Sequence, residues 1–169
     1  MSNSSAVSVG RILISNDDGL DAIGIAILEE IAAKFSDDVW VIAPTSNRSG
    51  MSRAITLHND VIIEPRGNNR FACSGTPSDC VIMGMAKVLD RKPDLVLSGI
   101  NAGMNVADDV LYSGTIGGAM EAALNKMMDG LDEDGDDDDE EEEELDDDDD
   151  ADWTDASVPW KGEKKAVEK

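Results

Sequence analysis

Two short apolar runs, Ile12–Ser15 and residues 39–43, end in polar turns and flank a stretch of helical period. The first closes on Asn16-Asp17-Asp18-Gly19, the second on Pro44-Thr45-Ser46-Asn47. Between them Ile23, Ile27, Leu28 and Ile31 recur at helical spacing within residues 22–35, leaving Glu29, Glu30 and Lys34 to face water. This pattern predicts a β-α-β unit whose strands are parallel and buried on both faces. Beyond a polar stretch reaching Arg53, the apolar positions Ile55, Leu57, Val61, Ile63, Phe71 and Cys73 are broken by Asn59-Asp60 and Arg66-Gly67-Asn68-Asn69, the pattern of a hairpin-like excursion.

Thr76-Pro77-Ser78-Asp79 opens a further helix, with Thr76 or Ser78 as cap, Pro77 early, and Val81, Met85, Val88 and Leu89 as the buried stripe. Residues 94–99 read as another buried parallel strand and 100–112 as a loop carrying Asn101, Gly103 and Asn105. Ser113-Gly114-Thr115 starts a helix continuing to about residue 127. The chain is therefore of the α/β class: a Rossmann-like, mostly parallel sheet with flanking helices. It contains no internal repeat.

Charge divides the chain unevenly. Residues 1–128 carry 15 acidic and 10 basic side chains, whereas residues 129–169 carry 22 and 4, and together they make the net charge of −23. Between 129 and 155, 20 of 27 positions are acidic, a density that no packing can neutralise internally. The expected organisation is a flexible N-terminus over 1–10, one α/β domain over 11–128 and a disordered acidic tail over 129–169. Trp153 and Trp160 interrupt that tail, and Lys161, Lys164, Lys165 and Lys169 reverse its charge.

Such acidity argues against nucleic acid as a partner. No apolar run approaches membrane-spanning length, and the first nine residues lack a secretory pattern, so no membrane partner and a cytoplasmic location are expected. Cys73 and Cys80 are too sparse for a disulfide scaffold and are expected to pack as small apolar residues.

The carboxyl ends of neighbouring parallel strands converge in space, and that is where ligands bind in open α/β sheets. Asp17 and Asp18 follow the first strand, Ser46-Asn47-Arg48-Ser49-Gly50 the second, and Ser98-Gly99-Ile100-Asn101 closes the third. Two adjacent carboxylates repel unless a cation or donors neutralise them. With Ser49 and Asn101 they make a hard, oxygen-only set suited to Mg²⁺ or Mn²⁺, and no Cys or His stands at zinc-ligand spacing. Helix capping would account for one Asp better than for two.

The Ser113-Gly114-Thr115 start suits a phosphate, since free N–H groups and the helix dipole favour an anion there; Gly103 and Asn105 could let donors approach it. Ser74-Gly75-Thr76 is a weaker candidate for the same role. The chain has neither GxGxxG spacing after the first strand nor a GxxxxGK[ST] loop, and its one histidine, His58, falls in the excursion, far from a triad arrangement.

Five ordered stretches, Asn16-Asp17-Asp18-Gly19, residues 43–50, Gly75-Thr76-Pro77-Ser78-Asp79-Cys80, residues 98–105 and Tyr112-Ser113-Gly114-Thr115, together resemble the SurE family of survival-protein nucleotidases. The resemblance covers about residues 11–127. It implies a metal-dependent phosphatase acting on nucleoside 5′- and 3′-monophosphates, with Asp17, Asp18, Ser49 and Asn101 holding one divalent cation, Mg²⁺ or Mn²⁺. It also implies phosphate held by Asn16 and the Ser113-Gly114-Thr115 turn, with Asn105 lining the same pocket. For the attacking water Asp17 is the expected proton acceptor, a role that the sequence does not separate from that of Asp18.

Members of that family continue past this helix into a further core strand, more helices and an arm used for forming dimers or tetramers. The acidic tail stands in their place here, so an apparently truncated fold is expected, with residues 95–97 at an exposed apolar edge. A different class of function, a non-catalytic binding protein whose acidic tail contacts a basic partner, would make the tail the active part. A third, a nucleotide-binding protein that keeps the metal without turnover, would keep the site and lose the reaction.

Overall fold

The computed structural model describes residues 8–132. The acidic tail beyond them, with the reading of it as disordered or partner-binding, lies outside the described residues. In chain order the elements are β1 (Ile12–Ser15), α1 (Ile23–Ala32), β2 (Val39–Pro44), β3 (Ile63–Gly67), β4 (Arg70–Cys73) and α2 (Pro77–Met83). A π-helical turn (Gly84–Val88) extends α2 and leads to β5 (Leu95–Ser98), a single helical turn α3 (Asp109–Tyr112) and α4 (Gly114–Asp132).

The five strands form one sheet in the order β3-β4-β2-β1-β5. β4, β2, β1 and β5 run parallel, and β3 pairs antiparallel with β4 at the far edge. The hairpin-like excursion thus does more than its pattern indicated: its second strand inserts into the main sheet beside β2. From β1 the chain winds out through β2 to β4, then returns to place β5 on the other side of β1. The strand order therefore reverses between β1 and β5, a topological switch point where a crevice opens at the carboxyl ends.

The core lies on both faces of β1, whose four residues are all buried. Ile12 and Ile14 pack with Ile25, Val41 and Ala43 on one face, and Leu13 with Ile42, Cys73, Cys80 and Leu89 on the other. Both cysteines are free and buried, as their sparse spacing indicated. Burial pushes the Cys80 thiol well up, while the hydrogen bond it shares with Cys73 draws the Cys73 thiol down.

Several elements differ from the sequence reading. Helix α1 turns Ile25 and Ala32 inward with Leu28 against them, and Ile23, Ile27 and Ile31 are exposed. Two apolar stripes satisfy helical spacing on this helix, and contact with the sheet selects the one that includes Ala32. Strand β5 is an edge strand, half-exposed and not buried on both faces, because among the described residues only β1 pairs with it. This is the exposed apolar edge anticipated for residues 95–97.

Helix α4 runs to Asp132, past both the expected end near 127 and the expected domain limit at 128. Residues 8–10 of the expected flexible N-terminus are tied down: Val9 N donates to Phe35 O at 2.9 Å, and Gly10 O accepts from Ser36 Oγ. The amino ends of the strands are closed by Arg11, which ion-pairs with Asp38 at 2.8 Å and with Asp90 and lies 5.4 Å from the Trp40 ring centre. The Arg11 guanidinium holds the Asp38 carboxyl below its ordinary range.

Candidate functional site

The turn after β1 is built by Asn16. Its Oδ1 accepts from Gly19 N at 3.1 Å and its Nδ2 donates to Gly19 O at 3.0 Å. Gly19 has φ +108°, a conformation that disfavours any side chain. Fully buried, with both ends of its amide engaged, Asn16 shapes the turn that presents Asp17 and Asp18. The resemblance implies a phosphate contact for Asn16; its side-chain amide is engaged by Gly19, and the residue is not among those lining the cleft.

Asp17 is 3% exposed. Its Oδ1 accepts from Thr115 Oγ1 at 2.6 Å and its backbone oxygen from Arg48 N at 2.6 Å, so α4 and the loop after β2 both anchor it. Asp18 Oδ1 accepts from Asn47 Nδ2 at 3.2 Å and Oδ2 from Ala102 N at 3.0 Å. Hence three neutral donors serve the two carboxylates, and among the described residues no basic side chain ion-pairs with either. The negative charge accumulated there favours a cation.

A cleft of about 200 Å³ opens at this switch point, lined among others by Asp17, Ser49, Asn101, Asn105 and Ser113. These side chains come from the ends of β1, β2 and β5 and from the start of α4, separate stretches of chain that only the parallel sheet brings together. Asn101 Nδ2 donates to Gly103 O at 3.1 Å, which leaves Oδ1 as its uncommitted end. Among the described residues no group of three or more His, Cys, Asp or Glu is disposed around one point. A cation here would meet the Asp17 carboxylate and neutral oxygens of Ser49 and Asn101, with Asp18 next to Asp17 on the same turn but not among the residues lining the cleft.

Ser113 caps α4 by accepting from Ile116 N at 3.2 Å. The Gly114 and Thr115 N–H groups sit in the first turn, where no intrahelical acceptor exists. Since the Thr115 hydroxyl is spent on Asp17, that residue can offer an anion its N–H only. Gly114 has a steric reason to be glycine: a Cβ there would lie 2.7 Å from Asp17 Cβ, 3.0 Å from Asp17 Oδ2 and 3.2 Å from Pro77 Cγ. Helix start and carboxylate therefore pack directly against each other.

The cleft also contains residues that the sequence reading did not single out, Gly50, Met104, Asp109 and Tyr112. Gly50, Met104 and Tyr112 lay within the motif stretches and could have been named; Asp109 carries no local signal. Asn47 and Thr115 prove to be the holders of the two carboxylates. His58 is exposed, in the segment between β2 and β3. Among the described residues no helix is long and apolar enough to cross a membrane.

The family model described as survival protein SurE matches residues 12–129. The 5′-nucleotidase SurE of Methylorubrum extorquens (strain PA1) is 56% identical over 115 residues, 68% of this chain and 45% of that protein. The 5′-nucleotidase SurE of Brucella anthropi is 54% identical over 114 residues, covering 68% and 44%. Among solved structures, the SurE protein from Aquifex aeolicus superposes with a TM-score of 0.64 at 40% identity, over 68% of this chain and 46% of that one. The chain spans less than half the length of these relatives.

Proposed function

The chain belongs to the SurE family, and from that membership and the cleft we propose that it is a metal-dependent phosphatase hydrolysing nucleoside 5′-monophosphates, and 3′-monophosphates, to nucleoside and phosphate. The observation that carries the proposal is the convergence of Asp17, Ser49, Asn101, Asn105 and Ser113 on one cleft at the switch point. Asp17, Asp18, Ser49 and Asn101 would hold one divalent cation, Mg²⁺ or Mn²⁺. When bound, that ion supplies Lewis-acid polarisation of phosphoryl oxygens and lowers the pKa of water.

The remaining work falls to the chain itself. The α4 start, through the Gly114 and Thr115 N–H groups, orients the phosphate and stabilises the charge that grows on its oxygens. Asn105 and the Ser113 hydroxyl flank the same anion in the cleft wall. Asp17 Oδ2, the oxygen that Thr115 leaves uncommitted, is the acceptor for a proton from the attacking water. The Thr115 hydroxyl keeps that carboxylate from rotating away.

The test is phosphate release by the full chain from nucleoside monophosphates before and after chelation with EDTA. Release that stops on chelation and returns with Mg²⁺ or Mn²⁺ is expected. Release indifferent to the chelator overturns the cation, and no release with either metal overturns the activity.

A further inference from the structure

Arg48 directly precedes the cleft residues Ser49 and Gly50, and its side chain lines a different cleft. The loop after β2 sends Ser49 and Gly50 to the cleft described above, whereas Arg48 and Met51 line a second cleft of about 210 Å³. A cavity of ~150 Å³ accommodates benzene, so this one has room for a planar base. Its polar wall consists of Arg48, Thr56, Asn59, Asp60, Ser74 and Thr76.

Three of these are committed internally. Thr56 Oγ1 donates to Asp79 at 2.6 Å, Thr76 Oγ1 to Ala54 O at 2.6 Å, and Ser74 Oγ accepts from Ile62 N at 2.9 Å. The other three retain binding capacity. Arg48 Nη2 donates to Ser74 O at 2.9 Å, its Nη1 makes no hydrogen bond and no carboxylate ion-pairs with it among the described residues, while its Nε is buried out of a ligand's reach. Asn59 and Asp60 are exposed and make no side-chain hydrogen bond or ion pair there.

A guanidinium and a carboxylate thus share one cleft without neutralising each other. The ligand that satisfies both is planar and presents acceptors at one edge and donors at the next. Guanine does so, with O6 and N7 as acceptors for Arg and an amine-bearing edge for a carboxylate. Adenine places an amine where guanine has O6 and would leave the guanidinium facing a donor.

We propose that this second cleft receives the base of a guanine nucleotide, Arg48 donating to O6 and N7 and Asp60 accepting from N1–H and the 2-amino group. The proposal rests on the phosphatase reading for its phosphate end, and names the substrate class that the reading leaves open.

The experiment uses the full chain, its Arg48→Met and Asp60→Asn variants, and four substrates: GMP, AMP, IMP (which lacks the 2-amino group) and ribose 5-phosphate (which lacks a base). The parent should favour GMP over AMP in kcat/KM by about 10- to 100-fold, the range of one good bidentate base contact. Arg48→Met should lower GMP and IMP together, while Asp60→Asn should abolish the preference of GMP over IMP, both leaving ribose 5-phosphate unchanged.

Equal loss on all four substrates, or no change on any, overturns the base contact while leaving the phosphatase standing. If the parent releases no phosphate from any substrate, titration with guanosine alone decides. Guanosine bound by the parent and lost in both variants supports the cleft, and guanosine not bound by the parent overturns it. Unfolding in urea by both variants at the parent's midpoint shows that they fold.

Discussion

Substituting Gly114 by alanine adds one methyl group at the point where helix α4 meets Asp17. The added carbon would stand 2.7 Å from Asp17 Cβ, where non-bonded carbons prefer about 3.5–4.0 Å, so roughly 1 Å of separation must be found. Asp17 cannot yield freely, because Thr115 Oγ1 and Arg48 N each hold it at 2.6 Å. Overpacking of this kind costs about 1–3 kcal/mol, and the helix-propensity gain of alanine is small at the first helical position. Displacing a reacting group by ~1 Å costs about 100-fold in rate.

Gly118→Ala is the matched control. It adds the same methyl one turn later, 3.2 Å from Ser98 Oγ and 3.6 Å from Pro77 Cβ, in the helix interior where alanine is favoured by about 1 kcal/mol. Phosphate release and urea unfolding on both variants should show Gly114→Ala about 100-fold slower and modestly destabilised, with Gly118→Ala at parental rate. Parental activity in Gly114→Ala, or an equal loss in Gly118→Ala, would refute the contact between helix start and carboxylate.

Further predictions concern stability and association. Burial alone would raise the Asp79 carboxyl, but hydrogen bonds from Thr56 N and Oγ1 and from Thr76 N hold it below the ordinary value. A lowered folded pKa contributes stability above the unfolded value of about 3.9, and that contribution is lost as pH falls through the folded pKa. Asp79→Asn should therefore cost about 1–3 kcal/mol at pH 7 and flatten the acid limb of the stability curve; an unchanged acid limb would contradict this. Thr115→Val removes the hydroxyl from Asp17 and should weaken Mn²⁺ binding, read by calorimetry; unaltered binding would separate Thr115 from the site. Leu95, 37% exposed on edge strand β5, is the place to block edge pairing. Leu95→Lys should reduce any concentration-dependent self-association in sedimentation velocity, and association that persists undiminished locates the contact elsewhere.

Much of the site was legible because strand ends announce themselves: an apolar run that stops abruptly at Asn16-Asp17-Asp18-Gly19 or at Asn101 marks the carboxyl edge of a parallel sheet. Parallel pairing alone then brings Asp17 and Asn101 together across 84 positions of sequence. What periodicity could not decide was the inward face of α1, where both Ile23/Ile27/Ile31 and Ile25/Leu28/Ala32 have helical spacing. Nor could it place β5 at an edge, because an apolar strand reads the same with one neighbour as with two. The task of Asn16 was hidden for another reason. An amide closing its own turn and an amide facing a ligand have the same sequence, and only the paired bonds to Gly19 distinguish them.

Asp17 and Asp18 bear the central claim, and substituting each by asparagine keeps its shape while removing its charge. Phosphate release from nucleoside monophosphates in Mg²⁺ or Mn²⁺, measured on the full chain and on Asp17→Asn and Asp18→Asn, is the most direct measurement. The account predicts cation-dependent release that falls at least about 100-fold in each variant; release unchanged by both substitutions would contradict it.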